Sequence, residues 1–201
     1  MSEQKQNLAL FDFDGTLTTK DSLFDFLVFS VGRFKFFLGL FANIPNFALL
    51  ALRLRSNDVA KQKLLSTFFY GWERDVLFNT GKSYSLERIE KIVRPKGIER
   101  LKQHLQSGDR VIIVSASLEL WLQGWCEAMG VEVLATKAEI KNGVFTGHFE
   151  GNNCYGQEKV ERLLTHLELD DYGEVYAYGD SQGDAQMLAL ADVQHYKPFR
   201  Q

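Results

Sequence analysis

An α/β fold is expected from this sequence: a doubly wound, mainly parallel sheet with an α-helical cap inserted after its first strand. Short apolar runs at residues 8–11, 111–114 and 174–178 each stop at a loop rich in Asp, Ser or Gly. From residue 110 onward such runs alternate with segments of helical period, the signature of βαβ units. Residues 21–94, by contrast, contain no convincing strand. The expected division is a core of residues 1–19 and 91–201 and a helical cap of residues 20–90. A length of 201 residues suits one domain carrying such an insertion.

The elements follow in order. Leu8, Ala9, Leu10 and Phe11 read as a buried strand entering the tight loop Asp12-Phe13-Asp14-Gly15-Thr16. Asp21 or Ser22 can cap a helix through Leu23, Phe26, Leu27 and Phe29. Asn43-Ile44-Pro45-Asn46 breaks it, and a second apolar helix runs to about Leu54. Asn57 is expected to cap a third helix through Leu64, Leu65 and Phe68, and Ser85 to start a fourth. Pro95 suits the first turn of a helix that stops at Ser107-Gly108. The strand at 111–114 ends on Ser115-Ala116-Ser117, followed by a helix over 118–129 that Gly130 closes. A strand at 131–134 comes next, then a hairpin whose turn is Asn142-Gly143. A helix over 157–167, the strand at 174–178, a helix through Leu190 and a last strand near Val193 complete the chain.

Composition removes several functions. With 26 acidic and 23 basic residues the net charge is −3, which gives no basic footprint for nucleic acid. Cys126 and Cys154 are too few for a zinc cluster or disulfide framework and read as small buried hydrophobes. The first residues lack a basic stretch followed by an apolar one, so a cytoplasmic protein is expected. His104, His148, His166 and His195 have no ligand spacing.

In doubly wound sheets ligands bind beyond the carboxyl ends of the strands. The residues there are Asp12 and Asp14, Ser115 and Ser117, and Asp180 and Asp184, with Lys159 near a helix start. Acids, hydroxyls and a lysine in this arrangement suit phosphoryl transfer. A divalent cation such as Mg²⁺ takes carboxylates and phosphate oxygens. One carboxylate can attack phosphorus, and a second can protonate the leaving oxygen and then activate water.

These motifs resemble those of the haloacid dehalogenase (HAD) superfamily of phosphohydrolases. Phe11-Asp12-Phe13-Asp14-Gly15-Thr16-Leu17 is similar to its first motif. The resemblance implies Asp12 as nucleophile and Asp14 as acid/base, with the Asp14 backbone carbonyl on the metal. Val114-Ser115-Ala116-Ser117 is similar to the second motif, which implies Ser115 and Ala116 at the phosphoryl group. Lys159 matches the third motif, a further phosphate contact. Gly179-Asp180-Ser181-Gln182-Gly183-Asp184 resembles the fourth, implying Asp180 as Mg²⁺ ligand and Asp184 as its support. The helical insertion resembles the cap of the phosphoserine-phosphatase-like branch, where an acid at the place of Asp21 touches substrate. The implied protein is a Mg²⁺-dependent phosphomonoester hydrolase with a Rossmann-like core, acting on a small phosphorylated metabolite. A phospho-Asp receiver domain, the non-enzyme alternative, fits poorly with an insertion directly after the first strand.

Residues 36–52 carry no charge, and eight of the sixteen phenylalanines fall between Phe24 and Phe47. A single membrane span there would put Asp12 and Ser115 on opposite sides of a bilayer. The expectation is instead that these residues fill the cap's own core, with a homodimer partner as an option. The alternative is a hairpin lying in a membrane interface, Arg33, Lys35, Arg53 and Arg55 meeting anionic headgroups. That would make the protein peripheral to the inner face of a membrane, and its substrate a lipid phosphate, as in the superfamily's branch that acts on phosphatidylglycerophosphate.

Overall fold

The computed structural model describes residues 5–200. At its centre is a six-stranded sheet in the order β4-β3-β2-β1-β5-β6. β1 (Leu8–Phe11), β2 (Arg110–Leu118) and β3 (Glu132–Lys141) run parallel, as do β5 (Val175–Gly179) and β6 (Val193–Tyr196). β4 (Val144–Glu150) is antiparallel to β3. Four helices follow β1: α1 (Ser22–Ala42), α2 (Ile44–Ala51), α3 (Asn57–Phe69) and α4 (Arg74–Glu87). α5 (Pro95–Gln106), α6 (Gln123–Met129), α7 (Gln157–His166) and α8 (Ala185–Ala189) link or follow the strands.

All four β1 side chains are buried, the pattern of a central parallel strand covered on both faces. Their alternation separates two cores. Ala9 and Phe11 join the cluster closed by α5, α6 and the helices after β1. Leu8 and Leu10 join the cluster closed by α7 and α8. The sheet is doubly wound, and its carboxyl edge gathers the ends of β1, β2 and β5.

Several boundaries differ from expectation, each for a local reason. Ser56, not Asn57, caps α3, its hydroxyl accepting from the Val59 N–H at 3.4 Å. Ser85 does not begin a helix but lies buried in the last turn of α4. Its hydroxyl accepts from the Trp125 N–H at 2.6 Å, so it caps α6 from across the fold. α2 stops at Ala51 because Arg53 takes a left-handed φ of 58°. β2 continues to Leu118, its pairing with β3 slipping between Ser115 and Leu118, and α6 starts correspondingly late. The two expected strands at 131–134 and 138–141 are one, since no Gly or Pro interrupts residues 132–141. Asn142 and Gly143 both have positive φ, as the tight hairpin requires.

The apolar stretch is not the buried core expected of it. Phe36 is buried and Leu40, Phe47, Leu49 and Leu50 are half-buried, but Phe37, Leu38, Phe41, Ile44 and Leu52 are exposed. The reason is geometric: α3 can cover one side of these helices, and the other has no second layer. Among the described residues no helix is long and apolar enough to cross a membrane.

Candidate active site

β1 delivers Asp12 to the carboxyl edge of the sheet, where the chain turns sharply. Gly15 makes that turn with φ 81°, and a Cβ on it would lie 2.4 Å from Asp180 Oδ2. Glycine is therefore required there twice, for its conformation and for the close approach of the acid. A cavity of about 480 Å³ opens over this edge. Asp12, Asp14, Asp21, Ser115, Ala116, Lys159, Asp180 and Asp184 all line it. The sequence-predicted residues thus meet in one place. None of the four histidines is there; His104, for example, bridges Asp109 and Tyr178 at 2.7 and 2.9 Å.

Asp12 is buried and held at both oxygens. Lys159 Nζ donates to Oδ1 at 2.7 Å and Thr16 Oγ1 to Oδ2 at 2.8 Å. Burial pushes its pKa up to about 7, against the pull of Lys159 and with the push of Asp184. Lys159, at the start of α7, also donates to Asp184 Oδ1 and the Val114 carbonyl, both at 2.7 Å. Its three protons are thereby used. Burial pulls Lys159 down, but Asp12 and Asp184 hold it above the usual lysine range.

Asp14 points toward the start of α1. The Ser22 N–H donates to Oδ1 at 2.6 Å, while Ser22 Oγ and Ser117 Oγ reach Oδ2 at 3.0 and 2.5 Å. Burial and the nearby Asp21 raise its pKa to about 6, the serine donors opposing them. Trp121 Nε1 fixes Ser22 Oγ from behind at 3.1 Å. Asp21 does cap α1, accepting from the Leu23 N–H at 2.9 Å, and it also lines the cavity. Ser115 is buried beneath the cavity, its hydroxyl accepting from the Ser117 N–H at 3.0 Å.

Carboxylate oxygens of Asp12, Asp180 and Asp184 come within 4.8 Å of one another. Such a hard-oxygen set, with one lysine among several acids, fits a divalent cation such as Mg²⁺. The three are not equivalent. Asp184 Oδ2 already accepts from the N–H groups of Asp180 and Ser181 and from Ser181 Oγ, and its Oδ1 takes Lys159. Those bonds tie Asp184 to the loop that carries Asp180 and Ser181. Asp180 pairs with the Arg200 guanidinium through Oδ2.

Some residues here were not found by reading the chain. Lys61, on α3, lines the cavity and donates to the Ala116 carbonyl at 2.6 Å. Thr16 holds Asp12, Ser22 holds Asp14 and Arg200 pairs with Asp180, and Ser117, singled out by its position alone, also holds Asp14. Phe24, Phe47 and Leu50 form an apolar wall. The spacing of Ser22 just after the first motif was a usable sign; Lys61 carried none.

The architecture matches solved structures. A Bordetella pertussis Tohama I protein of unknown function aligns with a TM-score of 0.80 at 24% identity, over 94% of this chain and 88% of that one. A substrate-bound phosphoserine phosphatase aligns with a TM-score of 0.62 at 19% identity, over 96% and 87%. By sequence, protein CicA of Caulobacter vibrioides is 32% identical over 197 residues, 96% of this chain and 86% of the relative. Phosphoserine phosphatase SerB1 of Mycobacterium tuberculosis is 30% identical over 191 residues, 90% of this chain and 61% of the relative. Residues 9–189 carry the sequence pattern of the haloacid dehalogenase-like hydrolases, and the chain belongs to that family.

Proposed function

We propose that this hydrolase is a phosphatase that moves the phosphoryl group of a small phosphorylated metabolite to Asp12 and then to water, with Mg²⁺ bound. The observation carrying this reading is the buried Asp12 carboxylate in the cavity, fixed at one oxygen by Lys159 and at the other by Thr16. A carboxylate oxygen of Asp12 attacks phosphorus, the bond to the alcohol breaks, and the alcohol leaves with a proton from Asp14. Water then attacks phosphorus and gives its proton to Asp14, and the bond to Asp12 breaks to release phosphate. A pKa of about 6 suits Asp14 to both proton transfers near neutrality. Ser115 and the Ala116 N–H hold the remaining phosphoryl oxygens, and Lys159 joins them by turning one proton away from its present acceptors. Asp12, Asp180 and the Asp14 carbonyl would hold Mg²⁺, with Asp184 bracing the loop. Bound there, the ion supplies a Lewis acid that offsets the charge on the phosphate.

In this reading residues 20–90 are a cap over the core of residues 1–19 and 91–201, and they contribute Asp21 and Lys61 to substrate choice. The cavity is of small-molecule size. Two free, buried cysteines suit a reducing cytoplasm. A second reading, a lipid phosphate as substrate, is favoured by the wall of Phe24, Phe47 and Leu50, which suits an apolar alcohol.

The test is turnover of nitrophenyl phosphate, phosphoserine and a phosphatidic acid by the purified protein, with Mg²⁺ and after chelation. Borohydride added during turnover reduces an acyl phosphate to the alcohol, so the peptide carrying position 12 should lose mass. An unaltered position 12 during active turnover would overturn the covalent route.

A further inference from the structure

We propose that the outer face of the helices around residues 33–54 docks on an anionic lipid surface. α1 breaks at Gly32, whose φ of 78° and ψ of 160° leave the helix and send its second half in a new direction. On that second half Phe34, Phe37, Leu38 and Phe41 stand at spacings of three, four and seven, the same side of a helix. They are 77%, 64%, 56% and 74% exposed. Ile44, Leu52 and Leu54 extend the exposed apolar surface through α2 and beyond it. A soluble surface seldom leaves so many large apolar side chains bare unless something covers them.

The face is rigid because the opposite side of the same helices is pinned to α3. Phe36 stacks on Phe68 with ring centroids 6.4 Å apart. A Cβ on Gly39 would lie 2.2 Å from the Phe68 ring. Asn43 donates to Thr67 Oγ1 and Asn46 to the Ala60 carbonyl, each at 2.9 Å. Repacking the outer residues inward would break these bonds, so they stay outside.

Charge chooses the occupant. Residues 26–57 hold Arg33, Lys35, Arg53 and Arg55 and no Asp or Glu, in a chain whose net charge is −3. A second copy of this chain would bring four more cations and no matching acid to the patch. Anionic headgroups supply that charge and the acyl boundary takes the phenylalanines. With no described helix fit to cross a bilayer, the face lies on the membrane rather than through it. This surface stands apart from the chemistry proposed for Asp12, yet α2 joins the two: Phe47 and Leu50 wall the cavity while Ile44 faces outward.

Flotation of the full chain tests it, with vesicles of phosphatidylcholine alone or mixed with phosphatidylglycerol. The protein should float with the mixed vesicles, remain behind with the neutral ones, and come off as salt rises. F37S/F41S and R33E/K35E should each lower binding roughly tenfold or more. Both should keep the melting temperature and nitrophenyl phosphate turnover of the parent, because the altered side chains are exposed and outside the cavity. The readout needs no turnover, so it succeeds or fails separately from the active-site reading. Absence of flotation overturns the proposal, as does equal flotation on neutral vesicles or with R33E/K35E. A dimer seen by light scattering, dissolved by F37S/F41S and indifferent to vesicles, overturns it in favour of a second copy.

Discussion

Lys159 Nζ lies 2.7 Å from Asp12 Oδ1, tying the first turn of α7 to the end of β1 across 147 residues. Both groups are almost wholly withdrawn from water. Removing one partner of a buried pair leaves the other charge uncompensated, which typically destabilises by about 3–5 kcal/mol. Lys159→Met should therefore lose about that much stability near neutral pH. It should also lose about 100-fold or more in turnover, since a charged contact to the phosphoryl oxygens goes with it. Denaturant melts and nitrophenyl phosphate kinetics read the two effects. Unchanged stability would mean the pair is not made in solution.

Asp14 is the proposed proton carrier, and its removal should be felt unevenly. Asp14→Asn should slow hydrolysis of an alkyl phosphate by about 10²–10⁴-fold, the usual range for general acid–base catalysis. The loss on nitrophenyl phosphate should be smaller, because that leaving group needs little protonation. Equal losses on both would remove Asp14 from the acid role and leave it a structural partner of Ser22 and Ser117.

Acidity of Asp12 gives a stability test in metal-free protein. Its native pKa, about 7, lies above the 3.8 of an unfolded aspartate. Between those values the native state binds the extra proton, so this residue's contribution to stability falls as pH rises through the window. Asp12→Asn mimics the protonated form. Because Lys159 keeps Asp184 and the Val114 carbonyl as partners, the variant should be more stable than the parent at about pH 8, and the gain should shrink to nothing as pH falls toward about 4. The difference between the two proteins is the quantity to follow, because His104 and His195, held below the usual range mainly by burial, act oppositely in both. A gain that stays constant with pH would contradict the buried, uphill carboxylate.

Magnesium should act on the same balance. Added Mg²⁺ should raise the melting temperature of the parent at neutral pH, by mass action on the native state. Asp180→Asn should weaken that gain, raising the Mg²⁺ concentration needed by about tenfold or more. A thermal-shift titration measures this without any turnover. An undiminished shift in Asp180→Asn would place the ion elsewhere.

Much of the site could be read from the chain because its parts sit at the ends of apolar runs. A parallel sheet brings strand ends together, so Asp12, Asp14, Ser115 and Asp180 converge by topology alone. Asp184 follows from its loop, whereas Lys159 alone reads as an ordinary surface lysine and stands out only in combination with the acids and through its likeness to the family's third motif. Lys61 was illegible, since nothing within α3 distinguishes it from Lys63, and only the docking of α3 turns it inward. The same limit applies to residues 36–52. Both sides of those helices are apolar, so periodicity cannot say which side α3 covers. Ser85 misled for a related reason: a serine that caps a helix is usually its own helix's neighbour, and this one caps α6.

Lys61 offers the sharpest test of substrate choice. Its Nζ rests on the Ala116 carbonyl at 2.6 Å, and it shares the cavity with Asp21, a cation and an anion both supplied by the inserted helices. Burial pulls its pKa below the usual lysine range. That withdrawal from water makes an anionic group on the substrate a favourable partner. Lys61→Met keeps the length and apolar stem and removes the charge. Stability should hold or rise, because a half-buried cation whose hydrogen bond goes to a carbonyl is lost. For substrates with a second anionic group beyond the phosphate, KM should increase about tenfold to a hundredfold, the worth of a charge-assisted hydrogen bond. For nitrophenyl phosphate, which has no such group, KM and kcat should change little. A uniform fall in kcat on every ester would instead assign Lys61 to the phosphoryl group itself.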